Sequence, residues 1–371
     1  MKRLLPEAII LCAIIMIVSY GFAQSWTKTS ATAYAVQSIA LSADGKIIMS
    51  VGSTTPVVST NRGVAWTSIT PVTKINHIAS SADGTKLIGV SYLADHTYVS
   101  TDSGNTWNPT GSPIQNWQAC AISADGSKLF AAVNGGLIYS STNFGTNWIS
   151  IGAPTNSWSC LALSADGTKL AAGAQNDRIY TSTNSGVPKP ATSSPSNSWA
   201  STASSADGSH LVATCSVGTY VSTNSGGNWT KYNISGISAA SSADGSKLII
   251  CNNSYIYTST NFGMNWTTIL PSKYWFSVAS SADGCELLAG ENQGIWIYQA
   301  TPSPQLNLAP SDINLALSWL VPSTNFVLQQ STDLISWSSV TNAPALNLTN
   351  LQNQVTFPAT SSIGFYRLAT P

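Results

Sequence analysis

Seven copies of Ser-Ala-Asp-Gly run through the chain, and no other feature limits its fold so tightly. Their aspartates are Asp44, Asp83, Asp125, Asp166, Asp207, Asp244 and Asp283, so successive copies lie 39, 42, 41, 41, 37 and 39 residues apart. A period of about 40 residues with short strand-like flanks is that of a β-propeller, in which each repeat folds into one four-stranded blade. An all-β, seven-bladed β-propeller is therefore expected. The 371 residues hold one large β domain and leave room for a small second one.

The third copy shows how a repeat divides. Residues 117–123 read as the first strand, 124–126 as a hairpin turn and 128–133 as the second strand; 134–136 turn again. A third strand is expected over 137–142, a turn over 143–146 and a fourth strand over 147–151. Asp-Gly and Asn-Gly-Gly suit tight hairpins, because glycine takes positive φ without steric cost and an Asx side chain bonds back to the turn. Four residues before each aspartate stands an alanine: Ala40, Ala79, Ala121, Ala162, Ala203, Ala240 and Ala279. Two residues earlier come Ser38, His77, Ala119, Cys160, Ser201, Ser238 and Ser277, with mostly bulkier residues such as Ile39, Leu161 and Val278 in between. Small side chains on one face of the first strand predict that this face meets the crowded axis, while the other fills the space between blades.

The third turn carries a pattern of its own. It reads STNRGVAW up to Trp66, STDSGNTW to Trp107, STNFGTNW to Trp148, STNSGGNW to Trp229 and STNFGMNW to Trp266; the fourth copy, STNSGVPK from Ser182, lacks the tryptophan. These segments resemble the Asp-box, or BNR repeat, Ser-x-Asp-x-Gly-x-x-Trp, with Asn for Asp everywhere except Asp102. The resemblance covers most of the chain and implies that the boxes hold blades together: the Asx side chain accepts turn N–H groups and the indole packs beneath. Burying one indole is worth roughly 4–6 kcal/mol gross. The seventh repeat has no box after Ile295-Trp296-Ile297-Tyr298, whereas Ser25-Trp26-Thr27 looks like the missing end of one. Residues 25–30 are thus expected to supply the outer strand of the last blade and to remove an exposed edge.

Past Thr301-Pro302-Ser303-Pro304 the repeat stops. Residues 302–371 read as a small β-sandwich, with strands over 313–320, 326–331, 337–341, 345–349, 355–357 and 365–369. It is similar in outline to the fibronectin-like C-terminal modules of secreted bacterial proteins. Residues 1–24 read as a signal peptide: Lys2 and Arg3, an apolar run over 8–18 too short to span a bilayer, then small residues at Gly21 and Ala23. Cleaved or kept as an anchor, it implies export to the periplasm, the cell surface or the medium, and leaves the propeller at 25–301. Five cysteines follow it. Bridges from Cys120 to Cys160 and from Cys215 to Cys251 are open on parity, but sheets stacked about 10 Å apart exceed the ~7 Å Cα separation a bridge needs. Small buried thiols are the simpler reading.

Charged residues are 8% of the chain and the formal net charge is zero, so there is no basic field for nucleic acid or anionic lipid. Asp-box propellers include sialidases, xyloglucan-active glycoside hydrolases, sortilin-type receptors and photosystem II assembly and stability factors. A sialidase holds its substrate carboxylate with three arginines, yet only Arg62, Arg178 and Arg367 follow the leader, the first inside a box and the last in the C-terminal module. The arginine-rich surface of the photosystem factors has no counterpart either. A glycosidase needs two carboxylates facing one cleft. Asp95, Asp177 and Glu291 share the turn between strands two and three, but on blades two, four and seven, and read as solvated loop charges. His77, His96 and His210 lack metal-ligand spacing, and no nucleophile elbow is present. His77 replaces a small residue on the inner strand, where it fills space or reaches the axial channel.

The last candidates lie eight residues before the aspartates: Val36, Ile75, Trp117, Trp158, Trp199, Gly236 and Trp275. If the first strand starts opposite the boxes, four indoles ring the mouth of the axis, with Asn116, Asn156 and Asn197 beside three of them. Indoles and amides stack and hydrogen-bond neutral sugars; the competing account packs these indoles between blades. The resulting expectation is an exported, non-catalytic monomer without cofactor or metal, binding a neutral glycan or a protein partner on that face. A divergent glycoside hydrolase using Asp95, Asp177 or Glu291, and a structural surface scaffold, are the alternatives.

Overall fold

The computed structural model describes residues 25–371 except 34, 54, 70–74, 185–186, 192, 271–272, 300–305, 312–313, 321–326, 333–334, 343, 348–350, 359–364 and 370–371. The expected leader and the Pro-containing linker lie outside the described residues. Among those described, six repeats each form an antiparallel set of four strands and the seventh forms three, to which a strand from the N-terminus is added. Blade three consists of Trp117–Ile122, Leu129–Gly136, Ile138–Ser141 and Ile149–Ser150. Its second strand outruns the expected turn, because Asn134 and Gly136 pair with Ser157 and Asn156 at the start of blade four.

Each letter of Ser-Ala-Asp-Gly has a separate task. The serine hydroxyl donates to the aspartate Oδ1 at 2.5–2.7 Å in all seven copies. That Oδ1 also accepts the N–H two residues on, for instance Ser127 to Asp125 at 2.9 Å. Burial alone would raise the carboxyls of Asp83, Asp125, Asp166 and Asp207, but these hydrogen bonds outweigh it and hold them below the ordinary range. The glycine takes positive φ, 72° at Gly126, where a Cβ would also strike Lys86. The alanine closes the ring. Its N–H donates to the alanine carbonyl of the next blade, from Ala43 to Ala82 and so on through Ala282 back to Ala43, at 2.7–2.8 Å. Seven bonds complete one circle around the axis.

Blade seven takes its outer strand from the N-terminus, as expected. Trp26–Lys28 pairs antiparallel with Gly294–Gln299, setting Trp26 opposite Tyr298. The inner strand differs from expectation. Both of its faces meet neighbouring blades: Ala40 packs with Ile75 and Ile78 of the next blade, and Ile39 with Ala279 and Leu288 of the previous one. Ser201 and Ser238 accept hydrogen bonds from Ala239 and Val278 across the same gaps, both at 3.1 Å. The axis instead sees Leu41, Ser80, Ile122, Leu163, Ser204, Ser241 and Ser280, which surround a cavity of 180 Å³.

The five cysteines are free thiols. Burial pushes their pKa upward at Cys120 and Cys251, and to about 11 at Cys160 and Cys285, which makes these thiols unreactive. Beyond residue 305, Asn307–Ser311, Asn314–Leu320, Gln352–Pro358 and Ala345–Asn347 form one sheet, and Val327–Ser331, Ser338–Ser339 and Phe365–Ala369 another. Leu317, Trp319 and Val355 of the first meet Leu328, Tyr366 and Leu368 of the second, giving the expected sandwich core. The strand at 307–311 is additional to those expected; Pro310 interrupts the strand signal there. Leu346 and Leu351 rest against the seven ring alanines, and Leu351 lines the axial cavity.

Candidate functional site

The four candidate tryptophans are 0% exposed. Trp117 Nε1 donates to Asp95 O at 3.0 Å, Trp158 to Gly136 O at 3.1 Å and Trp199 to Asp177 O at 2.8 Å, each on the preceding blade. Tyr139, Tyr180 and Tyr220 meet these indoles edge-on, with centroids 5.0–5.6 Å apart. Trp275 packs among Ile249, Cys251 and Ile256. The expected ring of exposed stacking faces is therefore corrected: the indoles are bolts between blades. In each of these four blades the ladder shifts register directly after the tryptophan, whereas the blades with Val36, Ile75 or Gly236 show no such shift. A bulge bends the strand locally and re-aims a side chain.

The asparagines separate. Asn156 Nδ2 donates to Asp177 Oδ2 at 2.7 Å, and Asn197 Nδ2 reaches Tyr220 Oη at 3.4 Å. Both brace the blades. Asn116 is exposed, its carbonyl accepting Asn134 N.

Asp95, Asp177 and Glu291 are engaged within their own corners. Asp95 accepts Tyr98 Oη at 3.1 Å and His96 N at 2.8 Å. Asp177 accepts Tyr180 Oη at 2.9 Å and Arg178 N at 2.7 Å besides Asn156. Glu291 meets Lys28 at 3.2 Å, Lys273 at 3.3 Å and Trp296 Nε1 at 2.8 Å. Burial pulls Asp177 and Glu291 upward, but these partners outweigh it and keep both below the usual range. A catalytic acid needs the opposite shift. Among the described residues no cluster of His, Cys, Asp or Glu is arranged to hold a metal.

With Leu351 at the Ser-Ala-Asp-Gly end of the axis, the other end is the accessible one. The inner strands begin there, seven residues before each aspartate, with Gln37, Asn76, Gln118, Ser159, Ala200, Ile237 and Phe276. Amides occupy blades one to three, apolar residues blades five to seven. Asn76 Nδ2 donates to Gln37 Oε1 at 2.9 Å, and Asn76 Oδ1 accepts Tyr92 N at 3.2 Å. His77 Nε2 lies 2.7 Å from Tyr92 Oη, and the Gln118 side chain bonds the same hydroxyl. His77 thus reaches a polar contact, and burial lowers its pKa to about 4, so the ring is neutral at physiological pH. Tyr92, Leu93, Ile114, Tyr255 and Tyr274 are exposed on the same face, Tyr274 by 71%. Sequence reasoning passed over this row because its seven members share no chemistry; the usable signal was an amide in three consecutive copies.

No protein-family model matches the sequence, and no curated protein does. Solved structures do match it. YCF48 bound to a D1 peptide is 16% identical with a TM-score of 0.58, covering 78% of this chain and 99% of that one. YCF48 from Cyanidioschyzon merolae is 13% identical with a TM-score of 0.58 over 74% of this chain and 98% of its own. The GH74 xyloglucanase from Xanthomonas campestris is 13% identical with a TM-score of 0.60 over 80% of this chain and 59% of its own. The fold these solved structures share with the chain is a β-propeller. At such identities these propellers share a backbone path, and the chemistry of each mouth is its own.

Proposed function

We propose that this propeller is an exported, non-catalytic binding module that docks a protein segment or a neutral glycan on the face opposite the Ser-Ala-Asp-Gly turns. One observation carries the reading: Asp95, Asp177 and Glu291, the carboxylates at the strand two to three turns, are each bonded within a separate blade, so that they do not pair across one cleft. The accessible mouth offers amides, a phenol and a neutral imidazole, groups suited to an uncharged partner. The solved YCF48 holding a D1 peptide supports a protein partner, and the start of the chain, Lys2-Arg3 before an apolar run, supports export. A hydrolase reading has the likeness to the xyloglucanase behind it.

The test is to present the mature chain to an array of neutral glycans and an array of short random peptides, with polysaccharide turnover assayed in parallel. Retention without turnover is expected. Turnover lost on Asp177→Asn would make the chain a hydrolase, and neither retention nor turnover would leave a scaffold.

A further inference from the structure

The mouth is unequal around its circumference, and its richest corner lies at blades one to three. Leu93 is 60% and Ile114 59% exposed. They stand on two segments tied together by the Asp95–Gln115 bridge, with N to O distances of 3.2 and 3.1 Å, and by Trp117 N to Ser91 O at 3.1 Å. Tyr92, 40% exposed, lies between this pair and the amide row. Asn76, only 2% exposed, anchors that row at both ends by holding Gln37 Oε1 and Tyr92 N. The Gln37 NH₂ group keeps no partner among the described residues.

We propose, on the basis of the binding function assigned above, that this corner takes an extended polypeptide segment free of acidic side chains, seating an aliphatic side chain against Leu93 and Ile114 while Gln37 and Gln118 bond its peptide groups. Three properties select that occupant. A primary amide carries donor and acceptor in one plane, the complement of a peptide group. Branched aliphatic surface gains from covering another aliphatic side chain, and exposed apolar side chains beside polar groups suit a protein contact. The nearest titratable groups are the Asp95 carboxyl, which accepts from Tyr98 and His96, and His77, which faces Tyr92. An acidic side chain brought into this corner would lose water and meet the Asp95 carboxylate instead of a counter-charge.

The experiment uses the full mature chain on the short-peptide and neutral-oligosaccharide arrays, repeated with Leu93→Asp, Ile114→Asp and Gln118→Ala. Val64→Ala, 78% exposed in the first Asp-box turn and away from the mouth, is the control. Circular dichroism and thermal unfolding check each fold, with Leu93→Ser and Ile114→Ser as milder versions. The expected result is selection of aliphatic-containing peptides without acidic side chains, weakened about tenfold by each corner variant and unchanged by Val64→Ala. Peptide binding that survives all corner variants, or selection of oligosaccharides instead, overturns this assignment and leaves the binding function standing. Retention on neither array overturns both.

Discussion

Glu286 occupies a position where four other copies carry Lys86, Lys128, Lys169 and Lys247. Three of those lysines donate to the aspartate carbonyl of the next blade: Lys86 to Asp125 and Lys128 to Asp166 at 2.8 Å, Lys247 to Asp283 at 2.7 Å. Where blade seven meets blade one, Arg62 performs this task from the other side, donating to Asp44 O at 2.8 Å and to Glu286 Oε2 at 3.1 Å. Glu286 is 0% exposed and its Oε1 is unpartnered among the described residues. Burial pushes its pKa from 4.5 to about 8 against the pull of Arg62. A folded pKa above the unfolded one gives stability that is complete below pH 4.5 and lost as pH rises through about 8. Glu286→Gln is therefore expected to melt with the wild type near pH 4.5 and above it in temperature beyond about pH 8; superimposable melting curves at every pH would refute this. Trp158 leads to a second expectation. As a bolt, Trp158→Ala should cost about 3–5 kcal/mol in urea unfolding, whereas a loss under about 1 kcal/mol would return it to the surface. The periodic tryptophans were legible as important and illegible in role, because a recurring indole suits a stacking face and an inter-blade bolt alike. A backbone bulge decides between them, and no residue type encodes it.

The Asp-box was legible together with its mechanism. Asn61 Oδ1 accepts Ala65 N and Asp102 Oδ1 accepts Thr106 N, both at 2.8 Å, so Asn replaces Asp without losing the bond; the atom only has to accept. Arg62, Ser103, Phe144, Ser225 and Phe262 follow the Asx residues with φ of 53–60°, a strain of about 1–2 kcal/mol each for a residue with a Cβ. The glycines after them share the left-handed turn. The closing strand was equally readable, since a box missing at one end and half a box at the other must meet. The lining of the axis was not. Alternation tells which residues share a face, but in a radial stack both faces of the inner strand abut neighbours, and the channel sees residues at the strand's end. Removing residues 25–28 would strip the outer strand from Gly294–Gln299 and bare its hydrogen-bonding edge. A lower melting temperature and concentration-dependent light scattering are expected; a variant that stays monomeric and equally stable would show that closure does not need this strand.

Seven blades, one closing strand and a C-terminal sandwich seated on the axis make a molecule whose parts are countable from sequence but whose junctions are not. Nothing in the pattern of 302–371 announces that Leu346 and Leu351 meet the ring alanines, because neither residue stands out from the sandwich around it. The closed circle predicts that copy number cannot drift. Deleting 126–166, one repeat in exact register, removes two alanine contacts and asks the remaining six blades to pack at a wider angle. Aggregation or loss of near-ultraviolet circular dichroism is expected, and a monomeric six-repeat chain with cooperative unfolding would overturn it. The circle also has an electrical consequence. Each alanine N–H points tangentially at the next carbonyl, so these seven peptide dipoles chase one another head to tail and their vector sum vanishes, unlike the additive array of a helix. The circle of hydrogen bonds thus adds no net dipole in its own plane, and any charge felt at that end of the axis comes from side chains such as the seven turn aspartates.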